Sequence, residues 1–271
     1  MEESHKIVRT AIVILIILIA AAGVYYLFLA DRGKPADSLD KPAVEAVRPD
    51  AAAAGEPAAA GAVTAALDQS DGLLRELAGD VSTNPFFMQW IRSKDLIRRF
   101  VAAVDAVANG QTPRPQADFF TLKGPFTTVA RGGKTYLNPA SYERYNVVAD
   151  VLDSVSVAGS AKLYRDFQAQ IRQAYRDLGY PQGDFHRVLL KAVNELLRTP
   201  VVEAPIEVVK TVTVFVCIDP RLEGLSAPQK HLLRMGPENV QLIQAKLREL
   251  APALGFAEAE LAKAVRIGPG D

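Results

Sequence analysis

Residues 206–218, IEVVKTVTVFVCI, decide whether this chain is all-helical or mixed. The even positions Ile206, Val208, Val212, Val214, Val216 and Ile218 are apolar, broken only by Lys210, while odd positions carry Glu207, Thr211, Thr213 and Cys217. Alternation at period two in a β-branched run is the signature of a half-buried strand. The stretch therefore predicts one strand with its even residues inward and Cys217 on the more polar face. A second signal lies upstream, where Phe126 to Ala130 and Lys134 to Leu137 flank Gly132 and Gly133, a pair suited to a tight hairpin turn. Together they predict a small antiparallel sheet.

Around this sheet the sequence is helical. Asn84 and Pro85 form a cap and first-turn pair for a short segment with Phe86, Phe87, Trp90 and Ile91. Ser93 is the expected cap of the next helix, whose stripe of Leu96, Ile97, Phe100, Val101 and Val104 runs until Gly110. Asn138 and Pro139 repeat the cap-plus-proline start. A long helix is expected from Ala158 to Leu178, with Leu163, Phe167, Ile171, Ala174 and Leu178 on one face and Gly179 as its stop. Asp184 caps another, with His186 at the border of its polar face. Ser226 and Gln229 match the reciprocal capping box, Gly236 ends that helix and Pro237 starts the last, giving a tight two-helix corner.

The N-terminal third has a different character. Residues 11–30, AIVILIILIAAAGVYYLFLA, are twenty residues without a charge. At the helical rise they span about 30 Å, the thickness of a bilayer's hydrocarbon core, and read as one transmembrane helix behind a short tail, residues 1–10. Lys6 and Arg9 precede the run and Arg32, Lys34 and Lys41 follow it, so flanking charge alone leans against an N-inside orientation. The short tail and the spacer behind the run favour N-inside, with the domain in the periplasm of a bacterial inner membrane. Cleavage near Ala20 to Ala22 is the competing reading, but it would leave the apolar residues Val24 to Leu29 at a new N-terminus. Residues 31–66 carry Pro35, Pro42, Pro49 and Pro57 among alanines and read as a linker. As a flexible coil it reaches on the order of 30 Å. One globular domain, 67–271, remains.

Composition narrows the chemistry. From residue 67 onward the chain holds 25 basic and 23 acidic residues, too near neutrality for a phosphate-backbone partner, so no nucleic acid is expected. The corner at Gly236 superficially resembles a helix-turn-helix, but Glu238, Asn239 and Gln241 at the start of its second helix do not attract phosphate. Gly133, Lys134 and Thr135 look like the tail of a phosphate loop. The glycine required five residues before Gly133 is Thr128, and the lysine lies on a hairpin, so no nucleotide is expected. Ser38 and Lys41 match an S-x-x-K pair inside the linker, where no base could be positioned. The single cysteine, Cys217, excludes an intramolecular disulfide and a cysteine-rich metal site. No cofactor or metal is expected. A dyad of Cys217 with His186 or His231 has no local signature to support it.

Three groups stand out as binding candidates, each with a plainer reading. Arg98 and Arg99 could fork onto an anion or pair with Asp95 one turn earlier. Tyr142 and Tyr145 could form an aromatic platform or be half-buried core residues with wet hydroxyls. Lys230, Arg234, Glu238 and Asn239 crowd the corner as a buried polar network or a partner surface.

The stretches DLIRRFVAAVD at 95–105, YLNPASYERY at 136–145 and LSAPQKHLLRMGPEN at 225–239, in that order, resemble a bacterial membrane-anchored family called domain of unknown function 3014. The resemblance covers most of residues 67–250 and implies an envelope-facing, membrane-anchored protein, with no catalytic residues to carry over. Phe256 to Asp271 falls outside it and is assigned no role. The sequence thus predicts a mostly α-helical α+β domain behind one transmembrane helix. It is expected to be an interaction or scaffold module for an envelope protein partner, the alternative being an envelope hydrolase acting on cell-wall or peptide substrate.

Overall fold

The computed structural model describes residues 65–113, 126–212 and 214–268. The expected span at 11–30, nearly all of the 31–66 linker with its Ser38 and Lys41 match, and Thr213 lie outside the described residues. Among the described residues no helix is long and apolar enough to cross a membrane.

The chain is α+β and mostly helical. Helices α1 (Ser70–Ala78), α2 (Pro85–Trp90) and α3 (Leu96–Ala108) precede a hairpin of β1 (Thr128–Arg131) and β2 (Lys134–Leu137). Two short 3-10 turns, Pro139–Ser141 and Glu143–Tyr145, lead into α4 (Asn146–Asp153), α5 (Val157–Asp166), α6 (Gln168–Asp177) and α7 (Phe185–Leu197). Then come β3 (Val201–Val202), β4 (Val208–Lys210), β5 (Phe215–Cys217), α8 (Pro220–Glu223), α9 (Ala227–Leu233), α10 (Pro237–Ala253) and β6 (Arg266–Ile267).

Two hydrophobic cores organise these elements. The larger lies where α3 packs on α6 and α7 and where α10 packs on α4 and α5. Phe87, Phe100 and Phe167 are wholly buried there, and Phe100 meets Phe185 edge-on at 5.4 Å. The smaller joins Leu137, Val202, Ile206, Val208, Leu222 and Leu233 beneath the β hairpins. Helix α9 is the party wall between them: Leu232 faces the larger core and its neighbour Leu233 the smaller.

Several local signals hold in the structure, each with its partner close in sequence. The Asn84 side chain accepts from the Phe86 and Phe87 amides, Asp184 from His186 and Arg187, and Ser226 and Gln229 form the reciprocal box. Gly132 and Gly133 take φ of 57° and 76°, turning Arg131 onto Lys134.

Four expectations are corrected. Residues 206–218 are not one strand but a hairpin: Val208 pairs with Cys217, Val209 with Val216 and Lys210 with Phe215. The turn is closed by Thr211, whose N–H and hydroxyl both donate to the Val214 carbonyl at 2.8 Å. Reversing the chain also swaps the parity, because residues paired across a ladder share a face. Phe215 and Cys217 therefore join Val208 over the small core, and Cys217 is not on a polar face.

Ser93 does not cap α3. Asp71, on α1, accepts from the Asp95 and Leu96 amides at 2.8 and 3.0 Å, while Arg75 donates to the Ile91 and Ser93 carbonyls. The helix expected over 158–178 is two helices broken at Phe167, whose φ of −99° and ψ of 14° leave the helical range while its ring stays buried. Leu163, Ile171 and Ala174 are buried as expected, but Leu178 is exposed. Finally, the segment after Phe256 is part of the fold. Phe256 and Leu261 enter the large core, the Asn194 amide donates to the Glu260 carbonyl, its oxygen accepts from the Ala262 N–H, and β6 pairs in parallel with β3.

Candidate functional site

Gly236 fixes the geometry of the corner between α9 and α10. Its φ of 86° and ψ of 160° lie in a region essentially restricted to glycine. A Cβ there would meet the Tyr142 ring at 2.5 Å, so the backbone lies directly against that ring. Three residues on, in the first turn of α10, Asn239 is 7% exposed and its amide donates to the Met235 carbonyl, the Asn146 side chain and the Tyr142 carbonyl, at 2.9, 3.1 and 3.3 Å. The corner is thereby tied to the 3-10 segment before α4. On the other side of that segment Asn138 accepts from Ala140, and the Ser141 hydroxyl accepts from the Thr127 N–H at 2.9 Å. Two stretches about ninety residues apart are thus bonded into one wall.

This wall closes a cavity of about 380 Å³. Its apolar lining is Val129, Leu137, Val202, Pro205 and Met235, with the small residues Ala140 and Ala204 between them. Tyr136 and Tyr142 add aromatic surface, and Glu143, Glu203, Glu238 and Arg131 bring charge. Glu203 is paired with Arg266 at 3.4 Å. The composition suits a ligand with an apolar part and a basic group.

The remaining candidates are distributed elsewhere. Tyr142 and Tyr145 are not one platform: Tyr142 packs on the small core, whereas Tyr145 is 2% exposed within the large one. Burial pushes the Tyr145 phenol up to about 12, against the opposing charges of Arg144 and Arg234. Lys230 donates to both the carboxylate and the carbonyl of Glu223, at 2.7 and 2.8 Å, and so clamps α8 to α9. Glu223 also accepts the Cys217 N–H at 2.9 Å. Burial raises the Glu223 carboxyl, but the bonds from Lys230 and Cys217 and the charges of Lys230 and Arg234 leave it below its ordinary value.

Burial, then the Glu223 charge, pushes the Cys217 thiol up, the reverse of what a thiolate nucleophile needs. His186 accepts or donates at Tyr164 Oη, 3.1 Å away, and stacks on Phe256, while His231 is buried against Thr112. Arg98 pairs with Asp68 at 2.7 Å and lies near Asp177 and Asp95. Arg99 is half-buried on the same helix, and both belong to the α3 surface of the large core rather than to the cavity. Glu238 is exposed at the cavity mouth. Among the described residues no cluster of three or more His, Cys, Asp or Glu is placed to hold a metal ion.

Of the cavity residues, the sequence singled out Tyr142, Glu238 and Asn239. It missed Arg131, Asn146 and the 202–205 segment, which carry no motif and reach the cavity only through the sheet and the 3-10 turns.

The fold and cavity define a helical domain with a subsidiary sheet lobe and a ligand-sized recess at their junction. Residues 96–251 match the family model described as Protein of unknown function (DUF3014), and the chain belongs to that family. Helices α1 and α2 and the C-terminal wrap lie outside the matched region. No curated protein and no solved structure matches the chain.

Proposed function

We propose that the chain is a single-pass protein of the bacterial inner membrane, anchored through residues 11–30, whose periplasmic domain is an interaction module for an envelope protein. The observation that carries this reading is the recess between the 136–146 and 235–239 segments. Its apolar lining and carboxylate mouth suit a protein segment presenting an apolar side chain beside a basic one, and its volume admits one or two side chains. The anchor reading rests on the uncharged run at 11–30. An envelope hydrolase with Cys217 as its nucleophile would need the thiolate, which burial and Glu223 oppose.

The test is photo-crosslinking in membranes with the full-length chain, a photoreactive residue replacing Ala140 at the recess. An adduct with one envelope protein is expected, lost when Ala204→Trp fills the recess. Absence of an adduct, or an adduct indifferent to Ala204→Trp, would overturn the reading.

A further inference from the structure

The two hairpins end at the same edge of the sheet lobe. Strand β2 runs away from the turn at Gly132 and Gly133, and Tyr136 bridges antiparallel to Glu207 at the entrance to β4. Strand β4 therefore runs back toward that turn, and the chain reversal between Thr211 and Val214 emerges beside it. At this edge Val212 is 99% exposed and Val209 is 46% exposed. Turns in water favour Gly, Asn, Asp and Ser, each for a backbone reason that valine does not meet. A fully exposed valine at a turn apex gains nothing from the fold.

Basic side chains lie at the same end of the lobe. Arg131 and Lys210 are exposed, each adjoining its turn, and neither has a carboxylate partner among the described residues. Lys134 bonds Glu207 at 2.8 Å and is the paired third cation of the edge. An apolar apex with an unpaired basic collar matches the boundary of a bilayer. There valine enters the acyl region while arginine and lysine reach back to phosphates.

We infer that the paired hairpin turns, with Val212 at the apex and Arg131 and Lys210 as the collar, dock on an anionic bilayer surface. The inference rests on the membrane-anchor reading for its biological setting. An apex this small binds weakly alone, and a chain already held at the membrane presents it at high effective concentration. Docking would orient the recess, whose wall includes Val129 and Arg131 of the same hairpin, relative to the bilayer.

The test uses the full chain carrying Val212→Trp, mixed with phosphatidylcholine vesicles whose acyl chains are brominated, with or without phosphatidylglycerol. The native tryptophan, Trp90, is buried in the large core and reports no lipid contact. The introduced tryptophan is expected to be quenched in anionic vesicles and much less in neutral ones. Each unpaired cation favours the anionic surface about fivefold, so Arg131→Glu with Lys210→Glu should return quenching to the neutral level.

Flotation in high salt reads the anchor separately. Quenching with salt-resistant flotation supports both readings, and quenching with salt-sensitive flotation supports the docking edge while overturning the anchor. No quenching overturns the docking edge whether or not the chain floats. Quenching indifferent to lipid charge and charge reversal also overturns it. So does a blue shift in detergent that grows with protein concentration, which would assign the apex to a second copy.

Discussion

The helical body and the sheet lobe share α9 as a wall but are held together differently. In the body, whole aromatic rings are buried, with Phe87, Phe100 and Phe167 wholly enclosed among the helices. In the lobe, Phe126, Tyr142 and Phe215 are only partly covered, and Val209, Val212 and Ile218 face outward. Two-stranded hairpins are marginal by themselves, so the lobe depends on α8, α9 and the corner at Gly236 for its cover. The difference teaches that stability resides in the body, while the most exposed large apolar side chain among the described residues, Val212, and the recess belong to the lobe and its seam.

The largest expected effect tests that division directly. Phe100→Ala should cost about 3–5 kcal/mol and lower the melting midpoint of the whole domain. Val208→Ala, which deletes two methyl groups from the small core, should cost about 1–2 kcal/mol. In hydrogen exchange its effect should stay within the β4 and β5 amides. Equal midpoint shifts from the two variants in thermal denaturation would break the comparison.

Next comes the seam. Gly236→Ala should cost about 3 kcal/mol, since it combines a glycine-only backbone conformation with a contact on the Tyr142 ring. A double-mutant cycle with Tyr142→Ala sharpens this. Part of the cost should vanish when the ring is removed, and strict additivity in denaturant unfolding would show that ring and corner are uncoupled.

The smallest effect is a pH dependence at the party wall. Burial, followed by the charges of Arg234 and Lys230, pushes His231 from its ordinary 6.5 down to about 3. The unfolded chain takes up a proton below 6.5 and the folded one does not until about 3. Stability is therefore complete above that upper value and falls as the pH drops through the interval. At pH 5.5, one unit below the ordinary value, the loss is about 1.4 kcal/mol. His231→Asn should flatten that part of the profile in denaturant titrations, and an unchanged slope would move the acid sensitivity elsewhere.

What could be read in advance followed the range of the interaction. Asn84, Asp184 and the Ser226 and Gln229 box were legible because donor and acceptor lie within three residues. The cap of α3 was not, because Asp71 comes from another helix twenty-four residues away. Alternation in 206–218 correctly marked β structure but hid the turn, since valine stands in both strands and at the reversal and no glycine or asparagine marks it. The recess was half legible: Tyr142, Glu238 and Asn239 stood in noticeable motifs, whereas Asn146, Val202 and Arg131 have no local signature.

By itself the sequence determined the helix starts at Pro85, Phe185 and Ala227, the Gly132 and Gly133 turn, the α+β class and the near-neutral charge of the domain. These follow from backbone preferences and composition, which act within a few residues or over the whole chain. Only the tertiary structure decided that Cys217 faces an apolar core, that Leu232 and Leu233 serve different cores, and that residues 136–146 and 235–239 close one recess. Each of these depends on which side of an element meets a remote partner, and a one-residue change of parity reverses the answer.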